Sequence, residues 1–236
     1  MIYIGTAGWS NPPREQAHRA AGRSHLQYYA EHFNAVEINS SFYRSHRQST
    51  YARWSESTPP RFRFSVKAPR SVTHDCALRH CRKELAQFLL EISGLGRKLR
   101  VILVQTPAGL AFDARSVSRF FASLGAATPC HVVCEPRHPS WFTPRAEATL
   151  RRFGIGRVAA DPAKVAAAAE PGGASDRVYF RLHGSPRMYY SAYSSAYLRD
   201  LSRKLRARSS TEAWCIFDNT VLHASWDNAL QLRNRP

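Results

Sequence analysis

Val101-Ile102-Leu103-Val104 is a short, unbroken apolar run rich in β-branched residues, and it indicates the fold class. Runs of this kind form strands that are buried on both faces, as in parallel sheets covered by helices. Similar apolar runs recur along the chain, at residues 2–4, 35–38, 62–66, 131–134, 155–159, 178–182 and 214–217. The sequence therefore predicts eight strands.

Helix-like stretches separate these runs and lie at residues 26–32, 50–57, 78–94, 116–124, 144–153, 196–208 and 223–232. Strands that alternate with helices form parallel sheets through right-handed crossovers. Eight such units predict a single TIM (β/α)8-type barrel that occupies residues 1–236 as one domain. The alternative is an open doubly wound sheet, but the first turn, Gly5-Thr6-Ala7-Gly8-Trp9, is neither a Rossmann glycine fingerprint nor a P-loop.

The charge balance of the 236-residue chain is strongly basic. It carries 34 lysines and arginines against 17 aspartates and glutamates, which gives a formal net charge of +17. A protein this basic attracts polyanions through counterion release, so a phosphate-containing small molecule or a nucleic acid is an expected partner. The alternative is an arginine bias of the genome, since only five of the 34 basic residues are lysines.

Composition excludes several classes of protein. With 44% hydrophobic and 11% aromatic residues the chain can bury a sizeable core, which excludes a disordered or fibrous protein. Its apolar runs are far shorter than the roughly 20 residues that span a bilayer, so no membrane partner is expected. The first residues resemble a strand rather than a secretory signal, and five cysteines, an odd number, argue against a disulfide framework. The expected location is the cytoplasm.

Polar side chains follow the apolar runs where each predicted strand ends. They are Glu37, Asn39, Lys67, Arg70, Gln105, Glu135, Arg137, His138, Asp161, Arg181, His183, Asp218 and Asn219. Side chains two apart in a strand point to the same face, so Arg181 and His183 would converge. In a parallel barrel the carboxyl ends of the strands form the mouth where active sites lie. The sequence therefore predicts a polar pocket at this mouth.

The residue types at the predicted mouth indicate acid–base and anion-binding roles. Glu37, Glu135 and His183 are the candidate catalytic residues, because carboxylate and imidazole groups activate water or move protons. The candidate substrate-binding residues are Trp9, Asn39, Tyr43, Lys67, Arg70, Gln105, Arg137, His138, Trp141, Arg181, Asp218 and Asn219. Their basic members would clamp a phosphate or carboxylate, and their aromatic members would form stacking walls.

A divalent metal ion would suit hydrolysis at this mouth, with Glu37, Glu135 and Asp161 as the candidate ligands. The cluster His74-Asp75-Cys76 with His80-Cys81 also contains metal-ligand types, but it has no second CxxC or HxxxH partner at a familiar spacing. The alternative interpretation of all these acids and bases is structural. They would neutralise one another as a buried ion-pair lattice that holds the strand ends together.

Several motifs are spread over nearly the whole chain. They are Gly5-Thr6-Ala7-Gly8-Trp9-Ser10, Val36-Glu37-Ile38-Asn39-Ser40-Ser41-Phe42-Tyr43, Phe64-Ser65-Val66-Lys67-Ala68-Pro69-Arg70, Thr73-His74, Glu135-Pro136-Arg137-His138-Pro139-Ser140-Trp141-Phe142, Tyr179-Phe180-Arg181-Leu182-His183-Gly184, Phe217-Asp218-Asn219-Thr220 and Asn228-Ala229. Together they resemble the YecE-like family, domain-of-unknown-function family 72.

The resemblance implies a TIM barrel with a site at these residues, and it brings no established reaction. Residues 11–24 and 223–226 depart from the family pattern, and the first departure would alter the pocket rim. Such barrels are also similar to endonuclease IV and xylose isomerase-like barrels, at the level of the fold alone.

Three functions are compatible with the predicted mouth. The leading hypothesis is an enzyme that acts on phosphoesters or nucleic acid, in which basic residues hold the phosphate while a carboxylate or His183 activates water. The second is a sugar or hydroxy-acid isomerase or lyase, in which Lys67 or His183 abstracts a proton. The third is a non-catalytic nucleic-acid or nucleotide-binding barrel, whose affinity would fall with added salt.

Overall fold

The computed structural model describes residues 1–16, 18–208 and 212–235, in which strands and helices largely alternate. The strands are β1 (Ile2–Thr6), β2 (Ala35–Ile38), β3 (Arg63–Lys67), β4 (Leu99–Gln105), β5 (His131–Glu135), β6 (Gly156–Arg157), β7 (Ala159–Asp161), β8 (Gly172–Gly173), β9 (Arg177–Leu182) and β10 (Glu212–Phe217). The helices are α1 (Pro13–Gln16), α2 (His25–His32), α3 (Gln48–Glu56), α4 (Arg82–Ile92), α5 (Ala114–Ala127), α6 (Pro144–Arg152), α7 (Ser195–Arg206) and α8 (Ala224–Arg233).

Hydrogen bonds divide the described strands into two sheets. One has the order β1-β10-β9-β7, and the other has the order β2-β3-β4-β5-β6-β8. Neighbouring strands pair in parallel, except that β6 and β8 are antiparallel. The chain therefore has a mixed α/β fold with parallel sheets. These pairings do not by themselves close the predicted strands into one continuous barrel.

The sixth strand that the sequence predicts is divided at Val158. Before this residue β6 pairs with β5 in the larger sheet, and after it β7 pairs with β9 in the smaller sheet. The amide of Val158 donates to the carbonyl oxygen of Cys134 at 2.9 Å. One extended segment therefore belongs to both sheets. The sequence does not indicate β8, because strands are recognised by alternating apolar and polar side chains and β8 consists of two glycines.

The two sheets also approach each other between β1 and β2. Ala7 forms an isolated parallel bridge with Glu37, and the amide of Gly8 donates to the carbonyl oxygen of Glu37 at 2.8 Å. The end of β1 is therefore attached to the strand that begins the other sheet.

Gly5 allows β1 to come very close to β2. A Cβ atom at this position would lie 2.0 Å from the carbonyl oxygen of Ala35. The hydroxyl group of Tyr29, on α2, joins the two strands, because it donates to that oxygen at 3.0 Å and accepts from the amide of Thr6 at 2.8 Å. A side chain at position 5 would displace this arrangement.

Two buried apolar clusters pack against opposite faces of the sheets. The inner cluster contains Tyr3, Ala35, Val101, Leu103, Val133, Val158, Tyr179, Trp214 and Ile216. Its members come from both sheets, so the inner faces of the sheets pack against each other. The larger outer cluster packs the helices onto the sheets. In α5, for example, the i, i+3, i+4 and i+7 positions of one face are buried, at Val117, Phe120, Phe121 and Leu124.

Helix α4 begins at Arg82, later than the sequence predicts. The preceding loop contains a π-helical turn at Ser71–Asp75, and the φ angles of Ala77, Leu78 and His80 are 48°, 62° and 51°. Backbone in this left-handed region cannot continue a right-handed helix. The sequence does not predict this left-handed backbone, because none of the three residues is glycine.

Two irregular segments have short helices. Residues 162–173, which follow the divided sixth strand, contain the 3-10 helix Ala166–Ala169. Residues 11–24, which depart from the family pattern, contain α1. Within the described ranges, no helix is both long enough and apolar enough to cross a membrane.

Candidate active site at the carboxyl ends of the strands

Charged and polar side chains continue the inner apolar cluster toward the carboxyl ends of the strands. Alternate residues of a strand share a face, so Glu37 follows Ala35, and Arg181 follows Tyr179, on the inner face. The residues placed in this way are Glu37, Lys67, Gln105, Glu135, Arg181, His183 and Asp218. One end of the inner cluster is therefore lined by titratable groups.

Arg181 is the centre of a buried network that also contains Glu37, Glu135, His183 and Asp218, and that we call the saturated network. Its Nε lies 3.1 Å from both carboxylate oxygens of Glu37, and its Nη2 donates to Oε1 of Glu37 at 2.8 Å. Nη1 lies 3.3 Å from Oε2 of Glu135, and Nη2 lies 3.0 Å from Oδ2 of Asp218. Three carboxylates share this guanidinium, which is only 1% exposed and has no free edge for a substrate.

The imidazole of His183 connects two of these carboxylates. Its Nδ1 donates to Oδ2 of Asp218 at 2.9 Å. Its Nε2 lies 2.9 Å from Oε1 of Glu135 and also 2.9 Å from Nη2 of Arg137. As imidazolium, Nε2 would donate to the carboxylate; as neutral imidazole, it would accept from the arginine. In either form His183 ties Asp218, Glu135 and Arg137 into one network.

Glu37 has two further neighbours that the sequence analysis missed. The hydroxyl group of Tyr179 donates to Oε2 of Glu37 at 2.9 Å and lies 3.0 Å from Oγ of Ser65. Both residues occupy apolar-looking strands two positions before Arg181 and Lys67. The same period-two rule that located the charged residues would have found them.

Burial alone would raise the pKa of the carboxyl groups in the saturated network, but the surrounding cations have the larger effect. Arg137, His183 and Arg181 hold the pKa of Glu135 well below its usual range. Arg181 and His183 lower the pKa of Asp218 against the same burial. Burial would lower the pKa of Arg181, yet the carboxylates raise it well above its usual value.

We expect the protein to lose stability as the pH falls below about 4, because these carboxyl groups have lower pKa values in the folded than in the unfolded chain. Their contribution is fully present above the unfolded values, about 4, and is lost as the pH falls through the folded values. Thermal unfolding between pH 7 and pH 2.5 measures this. The double variant Glu135→Gln/Asp218→Asn should be less stable at pH 7 and show a flatter dependence below pH 4; an equally steep loss would contradict the assignment.

Lys67 ends β3 beside the saturated network, but its amine forms no hydrogen bond or ion pair with the described residues. The side chain is 6% exposed, and its Nζ lies 4.0 Å from the ring centroid of Phe42. Ser41 fixes the strand end by donating to the carbonyl oxygen of Lys67 at 2.7 Å. Burial and the nearby charge of Arg181 lower the pKa of Lys67 to about 8, although the carboxylates oppose this shift. Part of this amine is therefore uncharged at neutral pH.

Three neighbouring strand ends also have polar atoms without a partner among the residues that the structure describes. Oδ1 of Asn39 and Nε of Arg137 are buried and unpaired. The partly buried side chain of Gln105 is likewise not hydrogen-bonded to described residues. With Lys67 these residues lie at the ends of β2, β3, β4 and β5, which are consecutive in one sheet, and we call them the open arc. Because a buried polar atom without a partner is costly, this arc is suited to a polar ligand.

His74, on the π-helical turn after β3, belongs to one of the family motifs but is not among the predicted catalytic or binding residues. Its ring packs edge-on against Phe42, with 5.0 Å between the ring centroids. Burial, together with the charges of Lys67 and Arg70, lowers the pKa of His74, so its imidazole is neutral at neutral pH. Its place in the motif Thr73-His74 is the signal that could have found it.

Three of the predicted substrate-binding residues support the surrounding loops. Trp141 is fully buried, and its Nε1 donates to the carbonyl oxygen of Leu110 at 2.8 Å, so it is not a stacking wall. His138 caps the short 3-10 helix that follows it. The side-chain amide of Asn219 donates to the carbonyl oxygen of Ser191, in the loop between β9 and α7, at 2.9 Å, and to Oδ1 of Asn228, in α8, at 3.0 Å.

The other predicted binding residues lie on the rim. Trp9 packs edge-on against Trp54 of α3, with 4.9 Å between the ring centroids. Tyr43 is 76% exposed and contacts the edge of Phe42. Arg70 is exposed and pairs with Asp75. Tyr43 and Arg70 are therefore accessible close to the open arc.

The candidate metal ligands are not brought together. Asp161 accepts a hydrogen bond from the hydroxyl group of Tyr193 at 2.8 Å, whereas Glu37 and Glu135 bind Arg181. Among the described residues, no group of three or more His, Cys, Asp or Glu side chains is placed to hold a metal ion.

Fold and site together define a parallel-sheet α/β protein with a polar cluster at the carboxyl ends of its strands. The chain belongs to the family described as "Protein of unknown function DUF72", whose sequence profile matches residues 3–235. The resemblance in the sequence motifs is thereby confirmed.

Two relatives carry the same kind of description. The chain is 34% identical to "UPF0759 protein YecE" of Escherichia coli (strain K12) over 174 residues, which cover 71% of this chain and 62% of YecE. It is 29% identical to "UPF0759 protein YunF" of Bacillus subtilis (strain 168) over 157 residues, which cover 61% of this chain and 53% of YunF. The matched region spans less than two thirds of either relative.

Solved structures support the fold. A DUF72 family protein of Thermotoga maritima has a TM-score of 0.81 and 26% identity, with coverage of 99% of this chain and 98% of that chain. SacUVDE has a TM-score of 0.55 and 9% identity, with coverage of 98% and 96%. At that identity the second likeness concerns the fold alone.

Proposed function

We propose that this protein is an enzyme that moves protons on a small anionic carbonyl compound, of the class of sugar phosphates and hydroxy or keto acids. The observation that carries the proposal is the largely buried side chain of Lys67, whose amine has no hydrogen bond or ion pair among the described residues and lies beside a network of fixed charges. An amine with a pKa near neutrality can take a proton from a carbon next to a carbonyl group. The reaction type is therefore an isomerisation or an elimination.

The open arc is where we place the substrate. Gln105 and Nε of Arg137 would donate to the oxygens of its anionic group or its carbonyl, and Oδ1 of Asn39 would accept from a hydroxyl group. Exposed Arg70 would meet a more distant phosphate at the rim. His183, which is fully buried between carboxylates, would act as a positioning residue through Arg137.

The saturated network favours this reaction over hydrolysis. Both oxygens of Glu37 and both oxygens of Glu135 already bind groups of the protein, so neither carboxylate is open to deprotonate water. Asp218 binds Arg181 and His183 through Oδ2. Arg181 is likewise unable to bind a phosphate, because its guanidinium already binds three carboxylates. The amine of Lys67 keeps its capacity to accept a proton.

We propose further that the strands close into an eight-stranded barrel with this site at its mouth. The Ala7–Glu37 bridge on one side, and the segment around Val158 on the other, join the two sheets. The shared inner cluster supports the same closure.

Deuterium exchange tests the proposed reaction. The purified protein is incubated in D2O with dihydroxyacetone phosphate, glyceraldehyde 3-phosphate, pyruvate and lactate, and deuterium at the carbon next to the carbonyl or carboxyl group is followed by NMR. We expect incorporation with at least one carbonyl probe, and its loss in Lys67→Met. Unchanged exchange in this variant would overturn the role of the lysine, and no exchange with any probe would count against the proposed function.

A second candidate, action on nucleic acid or binding to it, is favoured by the net charge of +17. It predicts that affinity for an oligonucleotide falls steeply with added salt. Cleavage of the oligonucleotide would identify a nuclease, whereas salt-sensitive binding without cleavage would identify a binding protein.

A further inference from the structure

Lys67 differs from the other four lysines of the chain in its surroundings. Lys98 donates to the carbonyl oxygens of Ser55 and Thr58, and Lys204 pairs with Glu170. The remaining lysines, at positions 83 and 164, are exposed. Only Lys67, among the described residues, combines deep burial with an unpaired amine.

The surroundings of this amine favour a nucleophile. The side chain is only 6% exposed, and the buried guanidinium of Arg181 repels a second positive charge, whereas the cation–π contact with the ring of Phe42, 4.0 Å from Nζ, opposes these two effects. Desolvation and a neighbouring cation are the two conditions that make a lysine amine reactive toward carbonyl groups. The carbonyl oxygen of the same residue is fixed by Ser41, so the base of the side chain is held in place.

We propose that Lys67 forms a covalent imine with the carbonyl carbon of its substrate, at the open arc. This inference rests on the proposed function and specifies its substrate class: an aldehyde or ketone that also carries a phosphate or carboxylate. The anionic group is specified because the open arc offers the unpaired Nε of Arg137, whose Nη2 pairs with Glu135, and the rim offers Arg70.

The covalent step is balanced without an oxidant or reductant. The lone pair of Nζ attacks the carbonyl carbon, and the carbonyl oxygen leaves as water after gaining one proton from the amine and one from the solvent. The resulting iminium draws electrons from the adjacent C–H bond. Because Nζ is then bonded to the substrate, the proton that the free amine would take in the reaction proposed above passes instead to the neutral imidazole of His74, which packs on the ring of Phe42. Return of the proton to carbon, or loss of a leaving group at the next carbon, ends the reaction, and water then hydrolyses the imine and restores the amine.

Reductive trapping tests the imine on the intact wild-type chain. The protein is incubated at pH 7 with dihydroxyacetone phosphate, glyceraldehyde 3-phosphate or pyruvate, each with sodium cyanoborohydride, and digested peptides are analysed by mass spectrometry. We expect Lys67 to gain the mass of a probe less one oxygen atom. Its labelling should exceed that of exposed Lys83 by about tenfold or more, because its amine is neutral more often.

Controls separate the imine from surface chemistry and from the proposed function. Neutral dihydroxyacetone should label Lys67 less than its phosphate does, and Lys67→Arg should lose the selective label while keeping its melting temperature. Labelling that is equal at all lysines would overturn the imine. Deuterium exchange without selective trapping would leave the proposed function standing and remove the imine, whereas trapping without exchange would support the imine and remove the proton transfer.

Discussion

Replacing Arg181 with methionine is expected to lower the free energy of unfolding by about 3–5 kcal/mol, because breaking a buried ion pair leaves its partners uncompensated. Here three buried carboxylates share the one guanidinium. For a chain of this size the loss corresponds to a fall in melting temperature of roughly 10 °C. Thermal and urea unfolding at pH 7 measure both quantities.

The matched control is Arg199→Met, which removes an exposed arginine from α7 and should change stability very little. Adding Glu37→Gln to Arg181→Met should recover part of the loss, because one of the uncompensated charges is removed with it. A melting temperature of Arg181→Met equal to that of wild type would show that the carboxylates do not depend on this arginine.

Replacing Gly5 with alanine is expected to destabilise the protein by about 3 kcal/mol or more, since the new methyl group overpacks a site without space. The Cβ atom would lie 2.0 Å from the backbone oxygen of Ala35 and 2.9 Å from the hydroxyl oxygen of Tyr29. A backbone oxygen cannot avoid the clash by a change of rotamer, as a side chain can, so β1 must move away from β2. Thermal unfolding measures the effect.

Gly125→Ala is the matched control, because Gly125 lies inside α5 with no atom near its missing Cβ. That substitution should stabilise the protein, by about 0.5–1 kcal/mol, through helix propensity alone. If both glycine variants gained stability, the close approach of β1 and β2 would be wrong.

Much of the site could be predicted from the sequence, because strand period and strand direction are local properties. Polar residues at positions 37, 67, 135, 181 and 218 each follow an apolar run, and parallel strands bring such positions to one end. Their mutual pairing could not be predicted. Whether Arg181 faces a substrate or three carboxylates depends on distances of a few ångströms between strands far apart in sequence.

Residues beyond a strand end were harder to place. Trp141 follows the fifth strand just as Arg137 does, yet a short 3-10 helix turns it into the interior. The direction of such a side chain depends on loop geometry rather than on strand period. The division of the sixth strand at Val158 is equally hidden, since a valine suits either sheet.

The saturated network is complete before anything binds. Its hydrogen bonds are made between protein groups alone, so a substrate that enters the open arc meets an electric field whose sources are already oriented. No reorganisation of these dipoles has to accompany a change of charge on the substrate. Although it does not contact the ligand, the saturated network therefore determines which charge distribution of a bound substrate is stabilised at the open arc.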